Sequence, residues 1–494
     1  MTEAAKSSFS STEAGQLKQL IIIGNGFDLE CELKTKYADF FNHRFVDLFE
    51  SVEAEESREP TMGSGIDTTF RFNYLNNKPY PDSPEIVYAI DSLWDVVFCY
   101  LFHHKKKLDT WKDVESSIRD FISSSDGEIT FSRFLDKYSE TIKEKTQYQA
   151  KIANGLPYKG YNGWNRSFDY EPLPANRSYA DYEYLLILSR IAEGTYEDRL
   201  RRLADGYYDY RISDDSGSTI EGKRYDIKKI REVLLDIVLE ELKIFEGNFY
   251  EYVSGEVSAK SDEYIRKAAN LYKQISRTGP DGEDLIDADG GGRGLIDAIV
   301  TFNYTSPFDV FDAEDRKNIK CVSHVHGKIC EENENKEIIF GIDPLQNTVE
   351  DTYKFTKAYR RMECSSFERY KMDSEGMTLG EFLGEGQKVD YIKIYGHSIG
   401  EADYSYFQSI FDAVDLYGGS TRLCFFGKKQ ASEDDTASEI KVGPIFDLIK
   451  RYSETLSDKT KGDNLLNKLI FENRLIIANL PRSCDSPPQQ ESET

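Results

Sequence analysis

Leu20-Ile21-Ile22-Ile23-Gly24-Asn25-Gly26-Phe27-Asp28 decides the fold class of this 494-residue chain. The mostly apolar run from Leu17 to Ile23 has the length of one strand and little polar alternation, so it reads as a buried strand of a parallel sheet. Gly24 ends it. Two glycines one residue apart allow a tight turn and a close approach of backbone to phosphate, and a helix beginning there favours the anion. The run is not a full G-x-G-x-x-G, because Leu29 occupies the third glycine position. Taken alone it is as much a plain strand-to-helix turn as a nucleotide turn. Gly24, Asn25, Gly26, Phe27 and Asp28 are the candidate site residues here, with the Asn25 and Asp28 side chains expected to face one crevice.

The same pattern returns in the second half. Ile299-Val300-Thr301-Phe302-Asn303-Tyr304-Thr305, Val322-Ser323-His324-Val325-His326-Gly327 and Tyr395-Gly396-His397-Ser398 each set polar groups just beyond an apolar run. Open parallel sheets bind ligands outside the carboxyl ends of their strands, so these ends together predict a site. Asn303 suits a carboxamide or a ribose hydroxyl. His324 and His326, two apart, would share a face if both lay on a strand. A neutral imidazole beside a sugar hydroxyl has nearly the right unperturbed pKa for a general base, and Gly327 leaves room for a ligand beside His326. Gly396-His397-Ser398-Ile399-Gly400 matches a nucleophile elbow letter for letter. No histidine follows Ser398, however, which excludes the triad order of that hydrolase class. The Gly396 and Ser398 amides, with His397 and Asp403, are instead expected to hold phosphate or ribose.

Around these ends the chain divides into a tail (1–16), a first α/β part (17–84), a mostly helical insertion (85–290), the rest of the α/β domain (291–480) and a second tail (481–494). Asp28 to Arg44 reads as helical or mixed, and Glu85 to Leu108 carries apolar residues at helical spacing. Tyr148 to Tyr182 reads as a long loop. Tyr184–Leu203 and Tyr225–Tyr252 are the clearest helices, the second with Ile230, Val233, Leu234, Ile237 and Val238 on one stripe. Thr278 to Gly294, rich in Gly and Asp, marks a boundary. Further strands are expected at Ala298–Phe302, Cys321–His324, Glu337–Phe340, Tyr391–Tyr395, Arg422–Phe426 and Leu475–Ala478.

Bulk properties narrow the function. A net charge of −26 and a pI near 4.8 oppose binding to nucleic acid and to anionic membranes. Seven scattered cysteines form no C-x-x-C pair, so neither a structural zinc site nor any other metal is expected. No apolar run reaches membrane-spanning length and Met1 to Gly15 lacks an apolar signal core, which together predict a cytoplasmic protein. Trp111-Lys112-Asp113-Val114-Glu115 sets two carboxylates two residues apart; a solvated helix start explains them, and a metal-dependent hydrolase or nuclease using Asp113, Glu115 and the histidines is the functional alternative.

The set of motifs resembles a known family. Ile22 to Leu29 followed by Leu33-Lys34-Thr35-Lys36-Tyr37-Ala38-Asp39-Phe40 resembles the opening of the bacterial abortive-infection AbiH family. Trp111 to Glu115, Phe302 to Thr305, His324 to Gly327, and Gly396-His397-Ser398 with Asp403 look like its later motifs, in order, over roughly residues 17–410. More distantly the set is similar to the sirtuin-like fold of NAD-consuming defence proteins. That resemblance implies a Rossmann-type (sirtuin-like) parallel sheet with a large helical insertion, and antiphage defence by NAD+ hydrolysis to nicotinamide and ADP-ribose. It also implies roles: Asn303 and His326 catalytic, with Asp28 polarising a ribose hydroxyl or water; Gly24, Asn25, Gly26, Phe27, Thr305, His324, Gly327, Gly396, His397, Ser398 and Asp403 binding NAD as substrate. Thr305 replaces the sirtuin aspartate and the four-cysteine zinc ribbon is missing, which argues against protein deacetylation. A homo-oligomer and a phage-derived trigger are expected partners. A nucleotide, NAD or ADP-ribose sensor without catalysis is the other alternative.

Overall fold

The computed structural model describes residues 16–44, 92–103, 111–123, 131, 207–213, 219–225, 227–286, 294–329, 338–342, 350–363, 377–384, 387–400, 403–427 and 442–480. The loop expected at Tyr148–Tyr182, the helix expected at Tyr184–Leu203 and the two tails, Gln16 apart, lie outside these residues.

Among the described residues, six strands form one parallel sheet: β1 (Leu17–Ile23), β2 (Leu295–Thr301), β3 (Ile319–His324), β4 (Tyr391–Tyr395), β5 (Arg422–Gly427) and β6 (Leu475–Asn479). Their spatial order is β3-β2-β1-β4-β5-β6, the 3-2-1-4-5-6 order of doubly wound dinucleotide-binding sheets. The expected Rossmann-type parallel sheet is therefore present. The strand order reverses between β1 and β4, which places the topological switch point where Gly24 follows β1 and Gly396 follows β4. Glu337–Phe340 does not join the sheet. Ile338 makes only an isolated bridge to Gly327, and Ile342 one to Thr356.

Compactness divides the chain into two units: Met1–Lys36, Tyr250–Ile339 and Arg361–Thr494 form one, and Tyr37–Phe249 with Phe340–Arg360 the other. In the first unit the strands alternate between two cores, as the period of two demands. Leu20, Ile22, Ala298, Val300, Ile392, Ile394, Leu423 and Phe425 pack under the helices Tyr404–Ala413, Val442–Thr455 and Lys459–Phe471. Ile21, Ile23, Ile299, Tyr391, Tyr395, Cys424 and Phe426 pack under the helix Ser261–Arg277, which contributes Tyr264, Ala268, Leu271, Tyr272 and Ile275. Each fully buried aliphatic side chain contributes about 1.5–3 kcal/mol.

One polar network interrupts the second core. Gln19, Asp297 and Lys393, one from each central strand, are fully buried. Asp297 accepts from Gln19 Nε2 at 3.0 Å, Tyr272 Oη at 2.8 Å and Ser276 Oγ at 2.5 Å. Lys393 Nζ donates to the carbonyls of Ile275 (3.0 Å) and Ser276 (2.7 Å) at the end of the Ser261–Arg277 helix. Burial lowers the Lys393 ammonium to about 8 and raises the Asp297 carboxyl. A lysine on the last carbonyls complements the helix dipole, so the network clamps this helix, and with it Tyr264, to the sheet.

The second unit is built on the helices Leu93–His103, Trp111–Ser123 and the greater part of Ile227–Ala259, with a hairpin of Tyr207–Ser213 and Thr219–Tyr225. The expected Tyr225–Tyr252 helix thus begins two residues later and runs seven further, and Tyr225 ends a strand. Its core is aromatic: Phe245 packs against Phe98 at 4.9 Å, Phe40 at 5.6 Å and Phe340 at 5.8 Å. Buried ions are paired. Arg360 grips both Glu246 oxygens (3.0 and 2.8 Å), and Glu115 meets Lys357. Glu115 therefore forms part of a buried ion pair and is not a solvated helix start. No described helix is long and apolar enough to cross a membrane.

Candidate functional site

Two of the four strand ends meet through backbone first. The Gly24 amide donates to the Tyr395 carbonyl (3.1 Å), the Gly26 amide to the Gly396 carbonyl (2.8 Å) and the Phe27 amide to the Gly24 carbonyl (2.9 Å). Gly396 has φ +67 and lies so close to the first turn that a Cβ there would stand 2.6 Å from the Phe27 nitrogen; one on Gly24 would stand 2.5 Å from the His397 Cα. The absence of side chains at Gly24 and Gly396 is used for packing two turns together, and these amides are bonded within the protein. Phe27 is fully buried against Phe308 at 5.7 Å. The Asn25 amide does not face the crevice: its Oδ1 accepts from Thr35 Oγ1 at 2.6 Å and its Nδ2 donates to the Thr35 carbonyl at 3.2 Å. A short polar side chain beside a turn finds its nearest loop before it finds a ligand.

Two polar clusters then form at the carboxyl edge of the sheet, one per face. On the Ser261–Arg277 face, Asp28 is buried and accepts from Tyr264 Oη at 2.9 Å and from Thr305 Oγ1 at 3.0 and 2.8 Å. Asn303 also hydrogen-bonds it. Burial outweighs these donors and raises the Asp28 carboxyl to about 6. Facing a carboxylate, Asn303 donates with its Nδ2; its Oδ1 is buried and has no partner. His324 ends β3 with both ring nitrogens buried and unpartnered, and burial lowers its imidazole to about 4. It is neutral at pH 7.

On the other face, Asp403 Oδ1 lies 3.2 Å from His326 Nε2, and Asp403 Oδ2 lies 3.3 Å from His397 Nε2. All three side chains are buried, none more than 6% exposed. Phe302 backs the pair, its ring 4.3 Å from His397 and 5.4 Å from His326. The Ile399 amide donates to His397 Nδ1 at 2.9 Å. β3 stops at His324, so His326 is not on a strand and the expected shared face with His324 does not arise. Gly327, at φ +90, turns the chain just after His326, whose carbonyl accepts from the Ile339 amide at 2.9 Å. Ser398 is exposed.

Asp28, Asn303, Thr305, His326, His397 and Asp403 are thus brought to one sheet edge. Tyr264 was not singled out by sequence, although its helix shows the periodicity Tyr264, Ala268, Leu271, Tyr272, Ile275. Glu115 belongs to the other unit, where Lys357 neutralises it. Among the described residues no group of three His, Cys, Asp or Glu is arranged to hold a metal ion.

An open parallel sheet in 3-2-1-4-5-6 order, with buried histidine and carboxylate groups at its carboxyl edge, defines the class: a doubly wound α/β protein with a candidate ligand site there. The chain belongs to the bacteriophage abortive infection AbiH family, whose model matches residues 20–172 and 293–421. No curated protein and no solved structure matches it.

Proposed function

We propose that this AbiH protein acts in abortive infection by hydrolysing NAD+ to nicotinamide and ADP-ribose. The observation that carries the reading is the buried His326–Asp403 pair at the switch point of a sheet in dinucleotide order. Asn303 adds support, because an orphaned buried acceptor costs about 1–3 kcal/mol unless a ligand or water satisfies it. In this reading Asn303 orients the nicotinamide ribose, and His326 accepts a hydrogen bond or proton from a ribose hydroxyl and steadies the oxocarbenium-like transition state. Asp28, with a carboxyl near 6, takes up protons close to neutrality and polarises a hydroxyl or water. The Gly24–Gly26 and Gly396–His397 turns, bonded to each other, give the crevice its shape. A phage-derived trigger and a homo-oligomer belong to the same proposal.

The test is purified protein incubated with NAD+, with nicotinamide and ADP-ribose followed by chromatography. Asn303→Ala and His326→Ala should each lose turnover by orders of magnitude while remaining folded. Undiminished cleavage in both variants refutes the roles. Tight NAD+ binding without product in the wild type, repeated in infected cells, would replace the enzyme with a nucleotide sensor.

A further inference from the structure

Asn303 Oδ1 and both ring nitrogens of His324 are buried polar atoms with no hydrogen-bond partner among the described residues. The two residues are 5% and 3% exposed, and they belong to one compact unit. They also share a face of the sheet. His324 pairs in register with Thr301, two residues before Asn303. It stands two residues after Val322, which packs under the Ser261–Arg277 helix, and side chains two apart on a strand point the same way. Asn303 reaches Asp28, as does Tyr264 of that helix.

Each residue has a definite hydrogen-bonding character. Asp28 fixes the Asn303 amide. Its carboxyl titrates at about 6, so above that pH it is an ionised acceptor that Asn303 meets with its NH2. The end left over is the amide oxygen, which can only accept. His324 is kept neutral by burial, so in either tautomer it offers one N–H and one lone pair. Of the charged side chains that act on it, Lys328 is paired with Asp309 at 2.7 Å and Arg361 donates to the Val325 carbonyl at 3.3 Å. A ligand group here must bring a proton to Asn303. Phosphate dianion and carboxylate bring none, and would set acceptor against acceptor. A hydroxyl both donates and accepts, so one of two adjacent hydroxyls satisfies Asn303 and the other satisfies His324 in either tautomer.

We propose that Asn303 and His324 form a subsite for a pair of adjacent hydroxyls such as a ribose carries, with His324 as its second contact and Asp28 as the residue that orients Asn303. The choice of a ribose rests on the glycohydrolase reading above; the demand for an uncharged donor does not. The pyrophosphate of a dinucleotide is excluded from this subsite.

The chain has six histidines, so nitrogen NMR of deuterated, histidine-labelled full-length protein can follow each ring. His324→Leu, or His324→Gln should leucine prevent folding, identifies the His324 signals. Millimolar ADP-ribose should move them, whereas ADP, which lacks the terminal ribose, should leave them in place. By calorimetry Asn303→Leu and the His324 variant should each bind ADP-ribose about tenfold or more weakly than wild type, with ADP binding unchanged. His324 signals that ADP-ribose leaves unmoved overturn the proposal, and ordered water then serves these atoms. Variants that bind ADP-ribose as wild type does, or that lose ADP equally, overturn it too. NAD+ cleavage is scored separately. ADP-ribose that engages His324 in a protein that never cleaves NAD+ refutes the glycohydrolase reading alone; cleavage with His324 unmoved refutes the subsite alone.

Discussion

Asp28→Asn should stabilise this protein near neutral pH and do nothing in acid. The Asp28 carboxyl is 1% exposed and burial raises it from 3.8 to about 6. The folded state therefore holds the proton more tightly than the unfolded chain. The wild type has this group's full contribution below about pH 4, and loses it as pH rises through about 6. The difference of roughly two pH units, at about 1.4 kcal/mol each, makes the ionised carboxylate cost about 3 kcal/mol above pH 7. Asparagine keeps an oxygen for Tyr264 and places an NH2 toward Thr305 Oγ1, whose hydroxyl can turn to accept. The variant should then exceed the wild type by up to about 3 kcal/mol at pH 7.5, the gap closing by pH 4. Urea unfolding of both proteins at pH 4.5, 6 and 7.5 measures it, and only the difference between them is used, since every other titrating group cancels. A variant less stable than wild type at pH 7.5, or a gap that does not change with pH, would refute the reasoning. On the proposed glycohydrolase reading the same variant should turn over NAD+ more slowly, because that reading assigns Asp28 to polarise a hydroxyl or water.

His324 should show the opposite pH dependence. Its imidazole is lowered from 6.5 to about 4, so the stability it contributes is complete above pH 6.5 and is lost as pH falls toward 4; His324→Leu should match the wild type at pH 7.5 and retain about 3 kcal/mol more at pH 4, measured by urea unfolding. Gly396→Ala combines a left-handed backbone at φ +67 with a Cβ placed 2.6 Å from the Phe27 nitrogen, so it should cost about 2 kcal/mol or more in thermal unfolding.

How much of this was legible depends on the distance over which each contact is specified. The strand runs and their ends were readable because hydropathy and turn chemistry are local: Leu17–Ile23 and Tyr391–Tyr395 have the bounds that the apolar runs predict. The Glu337–Phe340 run was misleading for the same reason. It is apolar and ends in glycine, yet Phe340 packs into an aromatic core and its amide goes to Glu246. The Gln19–Asp297–Lys393 network left a local signal, one polar residue in each of three apolar strands, but its meaning required their register.

The amino-acid sequence by itself determined that a parallel α/β sheet would form and that polar residues would stand at its carboxyl edge, since burial pattern and glycine placement act within a few residues. It also carried the family motifs. Only the tertiary structure decided which of those residues meet. Tyr264 reaches Asp28 across 236 positions of chain, and Asp403 reaches His326 across 77. The tertiary structure also turned Asn25 toward Thr35 and closed the glycine turns on each other. Strand order and helix packing choose such partners, and the free energy that holds them comes from burying both ends together, which no local window of sequence contains.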